Sequence, residues 1–384
     1  SIVITQFRDQ PAAIAFRKKL EMRGEKVYFH RHTKGYPMDV ETIVSEEGYG
    51  QNPYIPTTRP LVVVTAPGPG SGKLATCLNQ LYHENKRGVR AGYAKFETFP
   101  VWNLPLKHPV NVAYEAATAD LNDVNMIDYF HLERYGVTTV NYNRDLTVFP
   151  VVKTILHKII GEDLYQSPTD MGVNMVGFGI TNDEVCCRAA EQEVLRRYYH
   201  ALCEHKQGTG SEEAVEKIKL LLQDLDLKPS DRPVVEAALN KGAKVNLPAV
   251  ALELPDGTIV TGKQNTLLNA VSSAILNAVK VLAGIPDSFK LLSPKILEPI
   301  IALNKNVLKI RKNNLTLAET LVAVSMSAAN DFNALKAFNE LPHLKGCQMH
   351  STFILTESDS DYLRKLGLNV TSEPKFLSDD LYIE

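Results

Sequence analysis

The sequence lacks the features that mark secreted, membrane-spanning or nucleic-acid-binding proteins. It has five cysteines in 384 residues, an odd and sparse set that argues against a disulfide framework and fits a reducing cytoplasm. No apolar run approaches the ~18–20 residues of a membrane span, and the N-terminus shows no secretory signal pattern. Lys and Arg (42) nearly balance Asp and Glu (44), so no basic excess indicates nucleic acid or an anionic membrane as a partner.

The composition that remains is that of a globular chain, 44% hydrophobic and 22% charged, long enough for two or three domains. The chain also lacks an initial Met and opens at Ser1 in a strand-like run. An expression scar and a fragment without its natural N-terminal part both explain this start.

The first part of the chain alternates short apolar runs with helical periodicity. Residues 61–65 are a continuous, β-branched run, which is typical of a central parallel strand buried on both faces. A glycine-rich loop follows, then a helix of about residues 73–85, and residues 93–97 are the next predicted strand. This alternation of strand, loop and helix predicts an α/β fold. The predicted structure has three layers, a mostly parallel sheet and a P-loop-like strand–loop–helix.

Composition and periodicity predict three regions. Residues 1–182 form the α/β domain that carries the loop. Residues 183–244 form a helical insert, with helices over 183–206, 212–226 and 232–241. Residues 245–384 form an α+β C-terminal subdomain, which opens with a hairpin whose turn contains Asp256 and Gly257.

The glycine-rich loop is the clearest chemical motif, with phosphate-binding residues predicted at Gly68, Gly70, Ser71, Gly72 and Lys73. Glycines permit positive φ and let a phosphate approach the backbone closely. The helix N-terminus behind the loop adds partial positive charge, and Lys73 adds a full charge. The order strand, loop and helix therefore predicts an anion site.

The motif departs from the standard P-loop at two positions. Pro67 stands where the pattern has Gly, and Leu74 stands where it has a Ser or Thr that holds magnesium. Ser71 and Thr76 are nearby hydroxyls that could substitute. The alternative interpretation is a tight strand-to-helix turn without a ligand.

Charged residues elsewhere are candidates for catalysis. Asp120 and Asp123 share a face if their segment is helical, and could hold magnesium directly or through water. Glu97, two residues after Lys95, is the candidate general base, and Arg144 could neutralise phosphate charge. The alternatives are a solvated acidic face for the two aspartates and an ion pair for Lys95 with Glu97.

Three further patterns carry weaker signals. His30 and His32 alternate near a strand without evident companion metal ligands. Cys347 and His350 are three apart, as in part of a zinc site or a thiol–imidazole pair. The pattern of residues 167–174 is equally compatible with a substrate loop and with a capped helix start.

Several long blocks resemble an uncharacterised bacterial family, known as uncharacterised protein family 0371 or domain of unknown function 1846. The resemblance covers essentially the whole chain and is carried by residues 60–73, 92–108, 114–128, 167–175 and 345–352. It implies a cytoplasmic bacterial α/β protein with a helical insert and a C-terminal subdomain. Members typically continue upstream of the equivalent of Ser1, which favours the fragment interpretation. The resemblance implies no activity.

Three functions stay open. The first is a nucleotide- or phosphate-dependent enzyme, a phosphotransferase or ATP-dependent ligase that uses ATP or another nucleotide with Mg²⁺. The second is an enzyme acting on a phosphorylated or carboxylated metabolite without nucleotide. The third is a non-catalytic regulatory protein. Each has a small-molecule ligand, and a homo-oligomer is compatible with all three.

Overall fold

A computed structural model describes residues 1–68, 70–96, 100–172, 174–310 and 314–377. These residues contain eight strands: β1 (Ile2–Ile4), β2 (Val27–Phe29), β3 (Asn125–Ile127), β4 (Val140–Tyr142), β5 (Ala249–Glu253), β6 (Ile259–Lys263), β7 (Gln348–Ser351) and β8 (Asn369–Ser372). Their fifteen α-helices are α1 (Pro11–Glu21), α2 (Val40–Ile43), α3 (Lys73–Lys86), α4 (Pro109–Ala117), α5 (Tyr129–Tyr135), α6 (Asn143–Ile160), α7 (Pro168–Met171), α8 (Asp183–Gln207), α9 (Glu212–Asp224), α10 (Pro233–Val245), α11 (Ala270–Leu282), α12 (Pro294–Ala302), α13 (Leu317–Ala328), α14 (Phe332–Asn339) and α15 (Glu357–Lys365). The fold is mixed α/β.

The chain divides into two compact units. The first unit comprises Ser1–Asn111 and Asp123–Thr181, and the second comprises Val112–Asn122 with the chain from Asn182 onward. The predicted helical insert lies in the second unit, together with the predicted C-terminal subdomain. None of the helices in the described residues is long and apolar enough to cross a membrane.

The first unit contains two small sheets. β1 pairs with β2 in parallel, and β3 pairs with β4 antiparallel. Its largest apolar core lies between α3 and α6, whose inward faces include Leu78 and Leu81 of α3 and Phe149 and Ile155 of α6. Because both helices contribute to one core, packing fixes the loop that precedes α3 and the turn that precedes α6 within the same unit.

The predicted buried strand at residues 61–65 is wrong. No strand forms there, and the Leu61 and Val63 side chains are both 78% exposed. β-Branched residues favour an extended conformation, but a strand also needs a neighbouring backbone to complete its hydrogen bonds. In the described residues, β1 pairs with β2 and not with this segment. The described part of the chain therefore shows neither a three-layer, mostly parallel sheet nor the strand of a P-loop.

The predicted strand at residues 93–97 also differs from the structure. Tyr93, Ala94, Lys95 and Phe96 form no strand, although the Lys95 backbone N–H donates to the Met171 carbonyl at 2.7 Å. Glu97 lies outside the described residues. This part of the chain is held by isolated hydrogen bonds in place of a ladder.

The second unit is built on a four-stranded mixed sheet in the order β6-β5-β7-β8. The predicted hairpin is confirmed, since β5 and β6 are antiparallel and Gly257 takes φ +84° in their turn. Val250 and Leu252 of β5 point into the main core with α11, while Ala251 packs against α10. Helices therefore cover both faces of this sheet.

A buried arginine joins four elements of the second unit. Arg232, directly before α10, is fully buried and donates to Thr371 Oγ1 (2.9 Å), Gln348 Oε1 (2.7 Å) and the carbonyls of Asn369 (2.7 Å) and Met349 (3.2 Å). A longer contact of 3.5 Å reaches Gln192 Oε1 on α8. Burial lowers the pKa of Arg232 to about 10, so it remains charged at neutral pH.

The hydrogen bonds of Arg232 continue to His350 of β7, and together they form one polar network. His350 Nδ1 lies 2.8 Å from Thr371 Oγ1 and its Nε2 lies 3.2 Å from Glu373 Oε1, while its ring meets Tyr199 edge-on. Burial lowers the pKa of His350 below its usual value. A neutral imidazole donates from Nε2 to Glu373, and its Nδ1 can accept the Thr371 hydroxyl, for which the Met349 carbonyl at 3.2 Å is the alternative acceptor.

This network makes stability depend on pH. The unfolded chain protonates His350 before the folded protein does, so the free energy of unfolding should fall as pH drops below about 6.5. The hydrogen bond from His350 also lowers the pKa of Glu373, which adds a further loss below about pH 4.5. In denaturant titrations between pH 7 and pH 5, the free energy of unfolding should fall less steeply with pH in His350→Gln than in the wild type. The exposed His343→Gln is the control and should keep the wild-type slope; an unchanged slope in His350→Gln would contradict the assignment.

Candidate functional site

The glycine loop is anchored to the residues that follow β1. Thr5 Oγ1 donates to the Ser71 carbonyl at 2.9 Å, and Gln6 Nε2 donates to the Gly70 carbonyl at 3.0 Å. A trans peptide holds C=O and N–H on opposite sides. The backbone N–H groups of Ser71 and Gly72 consequently point away from Thr5 and Gln6.

Two glycines have the backbone conformation that this loop requires. Gly70 has φ +70° and Gly72 has φ +84°, which are values that other residues rarely adopt. A Cβ on Gly72 would also lie 3.1 Å from the Thr5 side chain. The prediction that glycine is needed at these positions therefore has a steric basis.

Helix α3 begins at Lys73, as predicted, and its N-terminus is electrostatically positive. Gly72 is its N-cap, no side chain caps it, and its first turn has no acidic residue. Helices α8 and α9 differ, since each has a capping side chain and two acidic residues in the first turn. Helix α3 therefore keeps the uncompensated partial charge that favours an anion.

Lys73 lies at the same end of the helix. Its ammonium group donates to the Gly68 carbonyl at 2.9 Å, and the Ser71 hydroxyl donates to the same oxygen. The Lys73 side chain is exposed, and within the described part of the chain it forms no ion pair. The loop thus has one positive charge beside its backbone N–H groups.

A second charged cluster lies at the N-terminus of α6. Arg144 contacts both oxygens of the buried Asp123, with Nε 2.6 Å from Oδ1 and Nη2 2.8 Å from Oδ2. Asp145, in the same helical turn, pairs with Lys95, whose ammonium also lies 5.7 Å above the centre of the Tyr142 ring. The structure thus brings Asp123, Arg144 and Lys95 together around one helix end.

The two predicted metal ligands are arranged differently from the expectation. Asp120 lies in a short 3₁₀ turn, Asn122 takes φ +55°, and Asp123 precedes β3, so the two aspartates do not share a helix face. Asp123 belongs to the first unit and Asp120 to the second. Asp120 instead borders a cavity of the second unit. A magnesium site that uses both remains a prediction.

The segment after residue 166 forms a capped helix start. Ser167 accepts from the Asp170 backbone N–H while the Asp170 carboxylate accepts from the Ser167 backbone N–H, which is a complete capping box. The Ser167 hydroxyl also lies 2.9 Å from His131 Nδ1. These contacts account for the polarity of the segment.

Cys347, His350 and His30, which formed the weaker sequence patterns, have structural roles. Cys347 and His350 are three apart along an extended segment, so they face opposite sides of the sheet. Cys347 lies in the apolar core, where burial raises the pKa of its thiol, and its thiol hydrogen is directed to the His343 carbonyl. His30 is buried after β2, and burial lowers its pKa, so it favours the neutral form.

The comparisons with known proteins identify a family and name no activity. This is a mixed α/β protein with a glycine-rich loop at a helix N-terminus. A family model described as "Domain of unknown function DUF1846, N-terminal" matches residues 1–226, and its C-terminal counterpart matches residues 230–382.

Three relatives illustrate the similarity. A UPF0371 protein of Clostridioides difficile strain 630 is 56% identical over the whole chain and 78% of the relative. One from Clostridium botulinum strain Alaska E43 is 55% identical, with the same coverage. One from Streptococcus thermophilus strain LMD-9 is 55% identical over the whole chain and 77% of the relative. The chain therefore belongs to this family of unknown function.

Sequence reasoning missed Asp145, although it is adjacent to Arg144. Its position at the third residue of a helix, where carboxylates are favourable, was the available signal. It also missed Arg197, His200 and Glu204, which line the cavity that Asp120 borders. Their i, i+3, i+7 spacing places them on one helix face and could have indicated a common role.

The Asp123–Arg144 pair should contribute to stability. Replacing Arg144 with Met removes the cation from a buried carboxylate and should lower the free energy of unfolding by ~2 kcal/mol, less than for a fully buried pair because Arg144 is half exposed. Chemical denaturation provides the measurement. Adding Asp123→Asn to Arg144→Met should restore part of the loss.

The matched control is Arg90→Met, which removes an exposed ion pair with Glu162 and should cost less than ~1 kcal/mol. Equal effects of Arg144→Met and Arg90→Met would show that Asp123 does not depend on its partner.

Proposed function

We propose that the first unit binds the phosphate group of a small-molecule ligand at the loop of residues 68–73, and that the protein is a phosphate- or nucleotide-dependent enzyme. The observation that carries the proposal is the uncapped N-terminus of α3, with Lys73 at the same end and no acidic residue in its first turn. Phosphate is the common ligand of such an arrangement, since it accepts several backbone N–H groups and a lysine together.

The orientation of the loop supports the same ligand. Thr5 and Gln6 hold the carbonyls of Ser71 and Gly70, so the following N–H groups are directed away from them without any movement of the loop. Lys73 would exchange the neutral Gly68 carbonyl for a charged phosphate oxygen, which is the stronger acceptor. Binding therefore requires little reorganisation of the backbone.

The cluster at the N-terminus of α6 supplies candidates for catalysis. In a phosphoryl transfer, Arg144 would neutralise charge on the transferred group, and Lys95 is a second cation at the same helix end. Both Asp123 oxygens contact Arg144, so Mg²⁺ could bind Asp123 only if the guanidinium moved. ATP or another nucleotide with Mg²⁺ is accordingly one form of the proposal, to be tested against phosphate alone.

One observation favours a metabolite phosphate over a nucleotide. Leu74 occupies the position where nucleotide-binding P-loops carry the magnesium-binding hydroxyl, and the segment before the loop is not a strand. A phosphorylated metabolite bound without Mg²⁺ is therefore the second candidate, in which the loop holds the substrate and not a cofactor.

The test is calorimetric titration of wild-type protein and Lys73→Gln with inorganic phosphate, ATP and GTP, each with and without Mg²⁺. We expect Lys73→Gln to weaken binding about tenfold or more, the effect of removing one charge-assisted hydrogen bond. The control, Lys86→Gln, removes the same charge from the opposite end of α3 and should leave affinity unchanged.

The outcomes separate the candidates. A Mg²⁺-dependent affinity for one nucleotide, lost in Lys73→Gln, supports the nucleotide-dependent enzyme. Binding of inorganic phosphate without nucleotide affinity supports the metabolite candidate. Equal affinities in Lys73→Gln and the wild type, or no binding of any of the three, would refute the phosphate site.

A further inference from the structure

Residues 58–67 form a stretch of the first unit whose backbone is open to a partner. Within the described part of the chain, none of its backbone N–H or carbonyl groups forms a hydrogen bond with another residue. The stretch contains the run 61–65, in which Leu61, Val62 and Val63 are 78%, 48% and 78% exposed. Large aliphatic side chains are normally buried, and several exposed ones in a row are characteristic of an interaction surface.

Contacts on either side of this stretch set its position. Before it, Gln80 of α3 accepts from the Ile55 N–H at 3.2 Å and donates to the Ile55 carbonyl at 2.9 Å. After it, Thr5 and Gln6 donate to two carbonyls of the glycine loop. The run 61–65 is therefore attached to the unit at both ends, while its own backbone groups stay available for pairing.

The side-chain pattern of the run indicates what kind of partner it fits. On an extended backbone Leu61 and Val63 lie on one face and Val62 and Val64 on the other, so both faces are apolar. This pattern is typical of an inner strand of a parallel sheet, and β-branched residues favour the extended conformation. The matching partner is an extended polypeptide that supplies both backbone hydrogen bonds and apolar side chains.

Strand β1 has an open edge in the same unit. The Ile2 N–H donates to the Lys26 carbonyl and the Ile4 carbonyl accepts from the His30 N–H, so Ile2 and Ile4 face β2. Val3, between them, directs its backbone groups to the other edge, with which no strand pairs among the described residues. Two strands alone make a marginal sheet. The unit thus has two incomplete strand positions, and both lead to the glycine loop.

The relatives contain additional chain that can supply the partner. The similarity extends over the whole of this chain but over 78% of the relatives from Clostridioides difficile and Clostridium botulinum, and over 77% of the one from Streptococcus thermophilus. The remainder of each relative is on the order of 100 residues, which is the size of a small domain. A second copy of this chain fits less well, because two paired runs would leave both apolar faces uncovered.

We propose that residues 61–65 are the docking site for an extended segment from the part of the protein that the relatives have and this chain lacks. The segment adds a strand beside residues 61–65 through backbone hydrogen bonds, and its side chains help to cover Leu61 and Val63. The inference does not rest on the proposed phosphate site, because the contacts of Thr5 and Gln6 orient the loop without this strand. Each proposal can fail without the other.

The first test compares amide hydrogen exchange in this chain and in the full-length Clostridioides difficile relative, read by mass spectrometry. Amides without hydrogen bonds exchange quickly, whereas strand amides inside a sheet are protected. We expect the relative's segment that aligns with residues 61–65 to exchange at least about 100-fold more slowly than these residues do here. Peptides from α11, which is buried in the second unit, are the control and should differ less than about tenfold. Equal exchange of the two 61–65 segments would overturn the proposal.

The second test introduces proline, which cannot donate a strand hydrogen bond. In this chain Val63→Pro should leave the Tm unchanged, because Val63 is exposed and its N–H is unbonded within the described residues. The same change at the aligned position of the full-length relative should lower the Tm by about 4 °C or more. Proline at the position of Thr58 is the matched control and should leave both proteins unchanged, since Thr58 is also exposed but lies outside the run.

Two further outcomes would overturn the proposal. One is an unchanged Tm when the relative carries proline at the position of Val63. The other is protection of residues 61–65 in this chain that rises with protein concentration, together with a dimer in sedimentation. That result would identify a second copy as the occupant.

Discussion

The burial of Arg232 is the constraint on which the second unit depends. A guanidinium moved out of water loses hydration that must be replaced by hydrogen bonds in the interior. Arg232 meets this requirement with acceptors on α8, β7 and β8, and no carboxylate among the described residues lies within ion-pairing distance. Because its acceptors come from three elements, those elements must keep their relative positions for the charge to stay buried.

This constraint reaches the cavity through α8. Gln192, Tyr199 and Cys203 lie on the helix face that meets the polar network, where Cys203 contacts the Ser372 carbonyl. Arg197 and Glu204 lie on a neighbouring face and line the cavity. At 3.6 residues per turn, these two sets separate into distinct faces of one helix. The network that fixes the rotation of α8 therefore also fixes the positions of Arg197 and Glu204 on that helix.

Local signals made several elements predictable. Helices α3, α8 and α9 start at the predicted residues, and the Asp256–Gly257 turn lies where the alternating pattern placed it. Each depends on a cap, a periodicity or a turn residue that is readable within a few positions. The family assignment is similarly confirmed by matches along the chain.

Features that depend on distant partners were not predictable. Residues 61–65 have the composition of a buried strand, but strand formation requires a backbone partner that composition does not specify. Arg144 pairs with Asp123 across 21 positions, and Arg232 bonds Thr371 across 139. The single left-handed residue Asn122 separates Asp120 from Asp123, which a helical pattern does not reveal. Sequence thus indicated which residues carry charge, but not which charges meet.

The glycine loop has a defined orientation without the strand that the sequence predicts before it. In a P-loop, the strand before the loop fixes its entry, whereas here the residues after β1 hold the carbonyls of Gly70 and Ser71 directly. The trans geometry of the peptide then determines where the N–H groups of Ser71 and Gly72 point. Hydrogen bonds to the carbonyl groups of a loop are therefore sufficient to orient its backbone N–H groups. The orientation of the Ser71 and Gly72 N–H groups depends on Thr5 and Gln6 and not on a strand at residues 61–65. The absence of that strand is therefore compatible with the proposed anion site.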